Sequence, residues 1–244
     1  MTAAAFPFRT AIHQEAASDR RIFSWSTDAP PLHARYRLEW KFRARSEREM
    51  HQGSSGDPGT AQRADARPRS RAARSPVLAE PARAFDLPAE RQAAEQAIEQ
   101  LFSAMDRISR VHPFAKGMGL AAPQLAIGRA AAVVQPPDPA APPIVLLNPR
   151  ITDRSLDEDE QYEGCLSYFD VRGLVPRPLR ITVETTALEG QTVTTVYERG
   201  LARLIHHEID HLDGLLYTAR MRAGIAPIPV EEYRQTGRAW TYGQ

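Results

Sequence analysis

Five residues, His207-Glu208-Ile209-Asp210-His211, constrain this chain more than any others. Histidines four apart share one face of an α-helix, so both imidazoles can reach a single metal ion only if this segment is helical. The glutamate between them can then stand beside a water activated by that ion and take its proton. The flanking residues support a helix. From Glu198 the apolar period is helical, with Leu201, Leu204, Ile205, Glu208 or Ile209, and Leu212 on a shared face and Gly214 as a C-terminal stop. Chance occurrence is the competing explanation, and a third ligand and an oxyanion donor elsewhere in the chain decide between the two.

A catalytic site of this kind uses three protein ligands and keeps one position open. The third must be Cys, Asp, Glu or His, and Cys165 in Glu163-Gly164-Cys165-Leu166-Ser167 is the best candidate. A thiolate is deprotonated outright by a metal, and Gly164 lets backbone crowd against it. A lone cysteine is otherwise a small buried hydrophobe. Gly117-Met118-Gly119-Leu120-Ala121-Ala122-Pro123-Gln124 superficially matches a dinucleotide fingerprint. A proline-containing loop precedes it and Pro123 interrupts it, so the strand-then-helix context of that fingerprint is lacking. A glycine-rich strand edge ending in glutamine suits another task, which is to pair with an extended peptide and aim a side-chain amide at a developing oxyanion.

The rest of the chain divides by composition. Of 244 residues, 42% are hydrophobic, a low value for a wholly globular chain. Residues 1–75 carry 14 basic against 8 acidic side chains, and residues 76–244 carry 17 against 22. The first ~70 residues are turn formers and charge without a sustained period, and are expected to be an Arg-rich disordered extension, 1–72. Within it Tyr36 to Arg45, with Trp40 and Phe42, offers an aromatic-basic patch that could meet nucleic acid or ribosomal RNA. A transit peptide is a third reading, opposed by the acidic residues. There is no apolar run near 18 residues and no continuous signal-peptide core, so neither membrane insertion nor secretion is expected. The single cysteine excludes an internal disulfide framework and fits a reducing cytosol.

Asp86-Leu87-Pro88 reads as a helix start, and Ala94, Ala97, Ile98, Leu101, Met105 and Ile108 follow at helical spacing to about residue 109. Ala130 to Gln135 and Ile144 to Leu147 are short apolar runs expected as strands. Arg180 to Thr186 and Gln191 to Tyr197 alternate around Glu189-Gly190 as a hairpin. After Arg220 there is room for one turn of helix at Val230 to Gln235.

Three segments in this order, Gly117 to Gln124, Glu163 to Ser167 and His207 to Leu212, resemble the signature motifs of the peptide deformylases. Pro76-Val77-Leu78 and Phe85-Asp86 resemble that family's N-terminal region, and the similarity covers about residues 75–220. The resemblance implies that Cys165, His207 and His211 bind the metal and that Glu208 is the general acid/base. It also implies that the Gln124 amide and the Leu166 backbone N–H stabilise the oxyanion, that Gly119 hydrogen-bonds the substrate backbone and that Arg172 lies near the peptide's path. Glu163 and Arg177 match a salt bridge of the family. The metal implied is one divalent ion, iron(II) first, with zinc(II) or another divalent ion as alternatives, since thiolate and imidazole suit both. The expected fold is α+β, with small antiparallel β-sheets packed around a central H-E-x-x-H helix and an N-terminal amphipathic helix. A catalytic domain over 73–220 and a tail over 221–244 with at most a short helix are expected.

The expected activity is removal of the formyl group from the N-terminal methionine of newly made polypeptides, with N-formylmethionyl nascent peptides as substrate. The ribosome near its exit tunnel is a further partner, the location is cytoplasmic, and neither a membrane nor specific nucleic-acid binding is expected. Met118 and Leu204 are nominated for the methionine pocket, with ordinary core packing as the alternative. Two departures stand out. His206 occupies a position where the family usually has Gln, and Tyr168-Phe169-Asp170 replaces a shorter, proline-containing segment. An H-E-x-x-H endopeptidase is the competing enzyme, opposed by Cys165 and by the Gly117 to Gln124 motif. A degenerate module that only binds peptides or ribosomes would have lost Glu208 or a ligand, and none is lost.

Overall fold

Two long helices of unequal burial, a short third one and three small antiparallel sheets build an α+β fold in the computed structural model, which describes residues 76–112, 116–138 and 140–237. The Arg-rich extension 1–72 and its aromatic-basic patch lie outside the described residues.

Helix α1 spans Arg91–Val111 and buries Ala94, Ala97, Ile98, Leu101, Ala104 and Met105, the stripe its period requires. It begins several residues after the expected start at Asp86. Glu90, not Asp86, stands at the N-cap position, and its carboxylate accepts the Asp86 N–H at 2.7 Å while pairing with Arg129 at 2.6 Å. Residues 87–90 are thereby held as a turn instead of a first helical turn.

The first sheet has order β1 (Met118–Ala121), β2 (Ala131–Gln135), β3 (Ile144–Leu147). Strand β2 reads as an unbroken apolar run because both its faces are covered. Ala131 and Val133 pack with α1, while Ala132 and Val134 pack with the second helix, α2 (Arg199–Leu212), against Ala202, Ile205 and Ile209.

The second sheet pairs β4 (Arg150–Arg154) with the hairpin of β7 (Arg180–Thr186) and β8 (Thr192–Glu198). That hairpin lies within a residue of its expected bounds, and Gly190 takes the positive φ of 89° that its turn needs. The third sheet was not expected. It consists of β5 (Glu158–Cys165), β6 (Tyr168–Pro178) and β9 (Ile228–Pro229).

Helix α2 touches strands of all three sheets: β1 and β2, β7 and β8, and β6. Eleven of its 14 residues are buried, and Gly214 ends it at φ 74° with the backbone of Glu80 close by. The last element, α3, is Val230–Gln235, where a single turn of helix was expected. Among the described residues no helix is long and apolar enough to cross a membrane.

Candidate metal centre

Helical spacing sets His207 and His211 of α2 one turn apart, their ring centroids separated by 5.0 Å. Cys165 arrives from the end of β5, where the chain turns tightly into β6 with Cys165 opposite Tyr168. Its Sγ lies 3.1 Å from His211 Nε2. One ligand atom from each of the three residues falls within 4.8 Å of the others, and all three residues are buried.

The electrostatics suit a cation. Burial alone would raise the Cys165 thiol, but hydrogen bonds and charge from His207 and His211 outweigh it and hold the group well below its ordinary value. A thiolate beside two imidazoles is a donor set for a divalent transition ion, so the residues present fit one. His207 Nδ1–H donates to Glu163 Oε2 at 2.9 Å, which leaves Nε2 as the ligand nitrogen and raises its basicity.

Glu163 is itself tightly held. Arg177 donates to both its oxygens at 2.9 Å, and Arg203 donates to Oε1 at 2.7 Å. Arg177 also reaches Asp210 Oδ2 at 2.5 Å, and Arg220 reaches Asp210 Oδ1 at 2.7 Å. Burial opposes ionisation of Glu163, but Arg177 and His207 keep it well below the usual carboxylate range. The Glu163–Arg177 pair expected from resemblance is thus part of a longer chain of charges, buried from His207 to Asp210 and ending at the half-exposed Arg220.

Glu208 is 2% exposed, and its Oε2 is buried without a hydrogen-bond partner. Burial raises its carboxyl to about 7, with His207 and His211 pulling the other way. Gly119 of β1 lies against it: a Cβ there would come within 2.1 Å of Glu208 Oε1.

Gln124 follows β1 in a short 3₁₀ turn, Ala122–Leu125. Its Oε1 accepts the Ala121 N–H at 2.9 Å, which orients the NH₂ toward Cys165 Sγ (3.7 Å) and Ser167 Oγ (3.3 Å). Gln124, Gly119, Leu166 and Arg172 line one cavity of about 370 Å³ together with Cys165, His207 and Glu208. Met118 and Leu204 line it as well, and each also packs into a core cluster. The Arg172 guanidinium fills the space over Gly164, where a Cβ would stand 2.6 Å from Cζ. Both β1 and β5 are edge strands of their sheets, and both contribute to the cavity wall.

His206, one residue before the first ligand, is buried, and neither ring nitrogen has a hydrogen-bond partner. The Asp210 carboxylate lies 3.9 Å from its Nε2. Burial, reinforced by Arg177, lowers its pKa to about 3, so the ring is neutral. Tyr168 and Phe169 of the departing segment fall at the start of β6, where Tyr168 packs edge-on to Tyr217 and Phe169 lines the cavity.

Three contributors escape a reading by sequence. Arg203 carried a signal, since it lies four residues before His207 on the same helical face. Tyr217, whose ring stacks on His207 at 6.0 Å between centroids, and Tyr233, which lines the cavity, carried none.

The sequence model of the polypeptide deformylase family matches residues 71–224. Peptide deformylase 2 of Gloeobacter violaceus is 39% identical over 141 residues, 57% of this chain and 70% of its own length. The peptide deformylase of Acidobacterium capsulatum is 38% identical over 148 residues, 58% of this chain and 84% of its own. Among solved structures, a class I type b peptide deformylase from Acinetobacter baumannii with Met-Ala-Ser bound aligns at TM-score 0.52 and 30% identity, covering 61% of this chain and 94% of that one. Peptide deformylase 1B of Arabidopsis thaliana aligns at TM-score 0.55 and 27% identity, covering 66% and 83%. The chain belongs to the polypeptide deformylase family, metal-dependent hydrolases that remove the formyl group from newly made polypeptides.

Proposed function

We propose that Cys165, His207 and His211 hold one iron(II) ion and that Glu208 moves the proton in hydrolysis of the formyl amide. The observation that carries this reading is the meeting of three buried donor atoms within 4.8 Å beside an unpartnered, buried carboxylate. A bound divalent ion supplies Lewis acidity to the formyl oxygen and to a water. The residues do the rest. Glu208 accepts the proton of the attacking water and delivers it to the leaving amine nitrogen, a transfer suited to a carboxyl raised to about 7. Gln124 Nε2 and the Leu166 N–H donate to the oxygen as it gains charge, each such donor being worth roughly 3–4 kcal/mol. Gly119, on the free edge of β1, pairs with the substrate backbone, and Arg172 borders its path.

The substrate is the N-formylmethionyl nascent chain, met near the ribosomal exit tunnel in the cytoplasm. Residues 73–220 form the catalytic domain around the H-E-x-x-H helix, residues 1–72 are an extension outside it, and residues 221–244 are its tail. Protein prepared without oxygen and analysed for metal tests the choice of ion. Iron at one equivalent per chain, with formate released from a formyl-methionyl peptide, is the expected result. Iron-loaded protein that is inert beside active zinc-loaded protein would overturn it.

A further inference from the structure

The cavity has an aromatic rim that none of these steps uses. Tyr162 of β5 and Tyr233 of α3 meet with ring centroids 5.2 Å apart and planes inclined at 60°, and both line the cavity beside Gly164 and Arg172. Tyr233 comes from far along the chain. Strand β9 pairs with β6, Val171 opposite Pro229 and Arg172 opposite Ile228, and Pro229 leads directly into α3. The two-residue ladder is therefore what sets Tyr233 over the same stretch of wall as Arg172. Helix α3 fully buries none of its residues, so the Tyr233 ring is not there to fill a core.

We infer that Tyr233, paired with Tyr162, is a specificity-determining residue that packs against an apolar side chain one or two places downstream of the formylated residue. The inference rests on the reading that this cavity receives the formyl peptide. An extended peptide lying along the β1 edge sends successive side chains to opposite sides, and those that do not enter the cavity cross its rim. A tilted aromatic pair offers such a side chain a broad apolar face that needs no fixed hydrogen bond.

Formate release from formyl-Met tripeptides tests this, with the second and third residues varied in turn among Gly, Leu and Phe. Wild-type protein is expected to prefer Phe over Gly at one of these positions. Tyr233→Ala is expected to reduce that preference about 3- to 10-fold, through KM and with kcat retained. Tyr233→Phe is expected to keep the preference, and Tyr162→Leu to weaken it. An unchanged preference in Tyr233→Ala, or a loss equal for every peptide and carried by kcat, would overturn the inference. Absence of turnover in the metal-replete wild type would instead overturn the reading on which it rests.

Discussion

Gly119 and Glu208 compete for one volume, since a β-carbon on Gly119 would stand 2.1 Å from Glu208 Oε1. The glycine is required by this close approach. Gly119→Ala must displace the carboxylate, the more flexible of the two groups, and a misplacement of about 1 Å can cost roughly 100-fold in rate. Steady-state kinetics should show kcat falling by about that factor, with metal content kept and the unfolding midpoint little changed. Wild-type kcat in this variant would refute the stated contact.

Glu163 links His207 to the buried arginines Arg177 and Arg203. Glu163→Gln leaves both guanidinium groups short of a charge partner, and removing one member of a buried ion pair costs about 3–5 kcal/mol. It also weakens the acceptor on His207 Nδ1, for which about a 10- to 100-fold loss of metal affinity is expected. Denaturant unfolding of the metal-free protein and competitive metal titration measure the two effects separately. Unchanged affinity with lowered stability would restrict Glu163 to a structural role.

The raised Glu208 carboxyl has a signature in the metal-free fold. Its pKa stands near 7 against an ordinary 4.5, because burial disfavours the charge. The stability contributed by this group is complete below its unfolded pKa and is lost as pH rises through about 7. Glu208→Gln removes that dependence. The variant's advantage in unfolding midpoint over wild type should therefore widen between about pH 5 and about pH 8. A constant difference across that range would contradict the burial argument.

His206 shifts in the opposite direction. Burial and Arg177 depress it to about 3 from 6.5, so the unfolded chain takes up its proton first on acidification. Stability from this group is present above the unfolded pKa and is lost as pH falls toward the folded one. His206→Gln should lose less stability than wild type between about pH 7 and about pH 4. Parallel pH profiles of the two proteins would show that the ring is hydrated or paired in solution.

Apolar period made both long helices and the β7–β8 hairpin legible in the sequence, as it did β2 and β3. Strand β5 was hidden because its first residues, Glu158, Asp159, Glu160 and Gln161, are all polar and show no apolar alternation. Their partners are tertiary: Asp159 pairs with Arg203 of α2, and Glu160 with Arg222 beyond it. The start of α1 was misjudged because Glu90 is fixed by Arg129, 39 residues away. Within the site, the residues nominated from the motifs, His211 apart, line one cavity, while Tyr233 enters it through the return of the chain past Arg220. Local spacing carries no trace of that return.

The most direct measurement is formate release from a formyl-methionyl peptide by iron-replete wild type and Glu208→Ala, with iron determined on both. If Cys165, His207 and His211 hold the ion and Glu208 moves the proton, the variant should keep one iron per chain and lose turnover. Undiminished formate from Glu208→Ala, or no formate from the iron-replete wild type, would contradict the account.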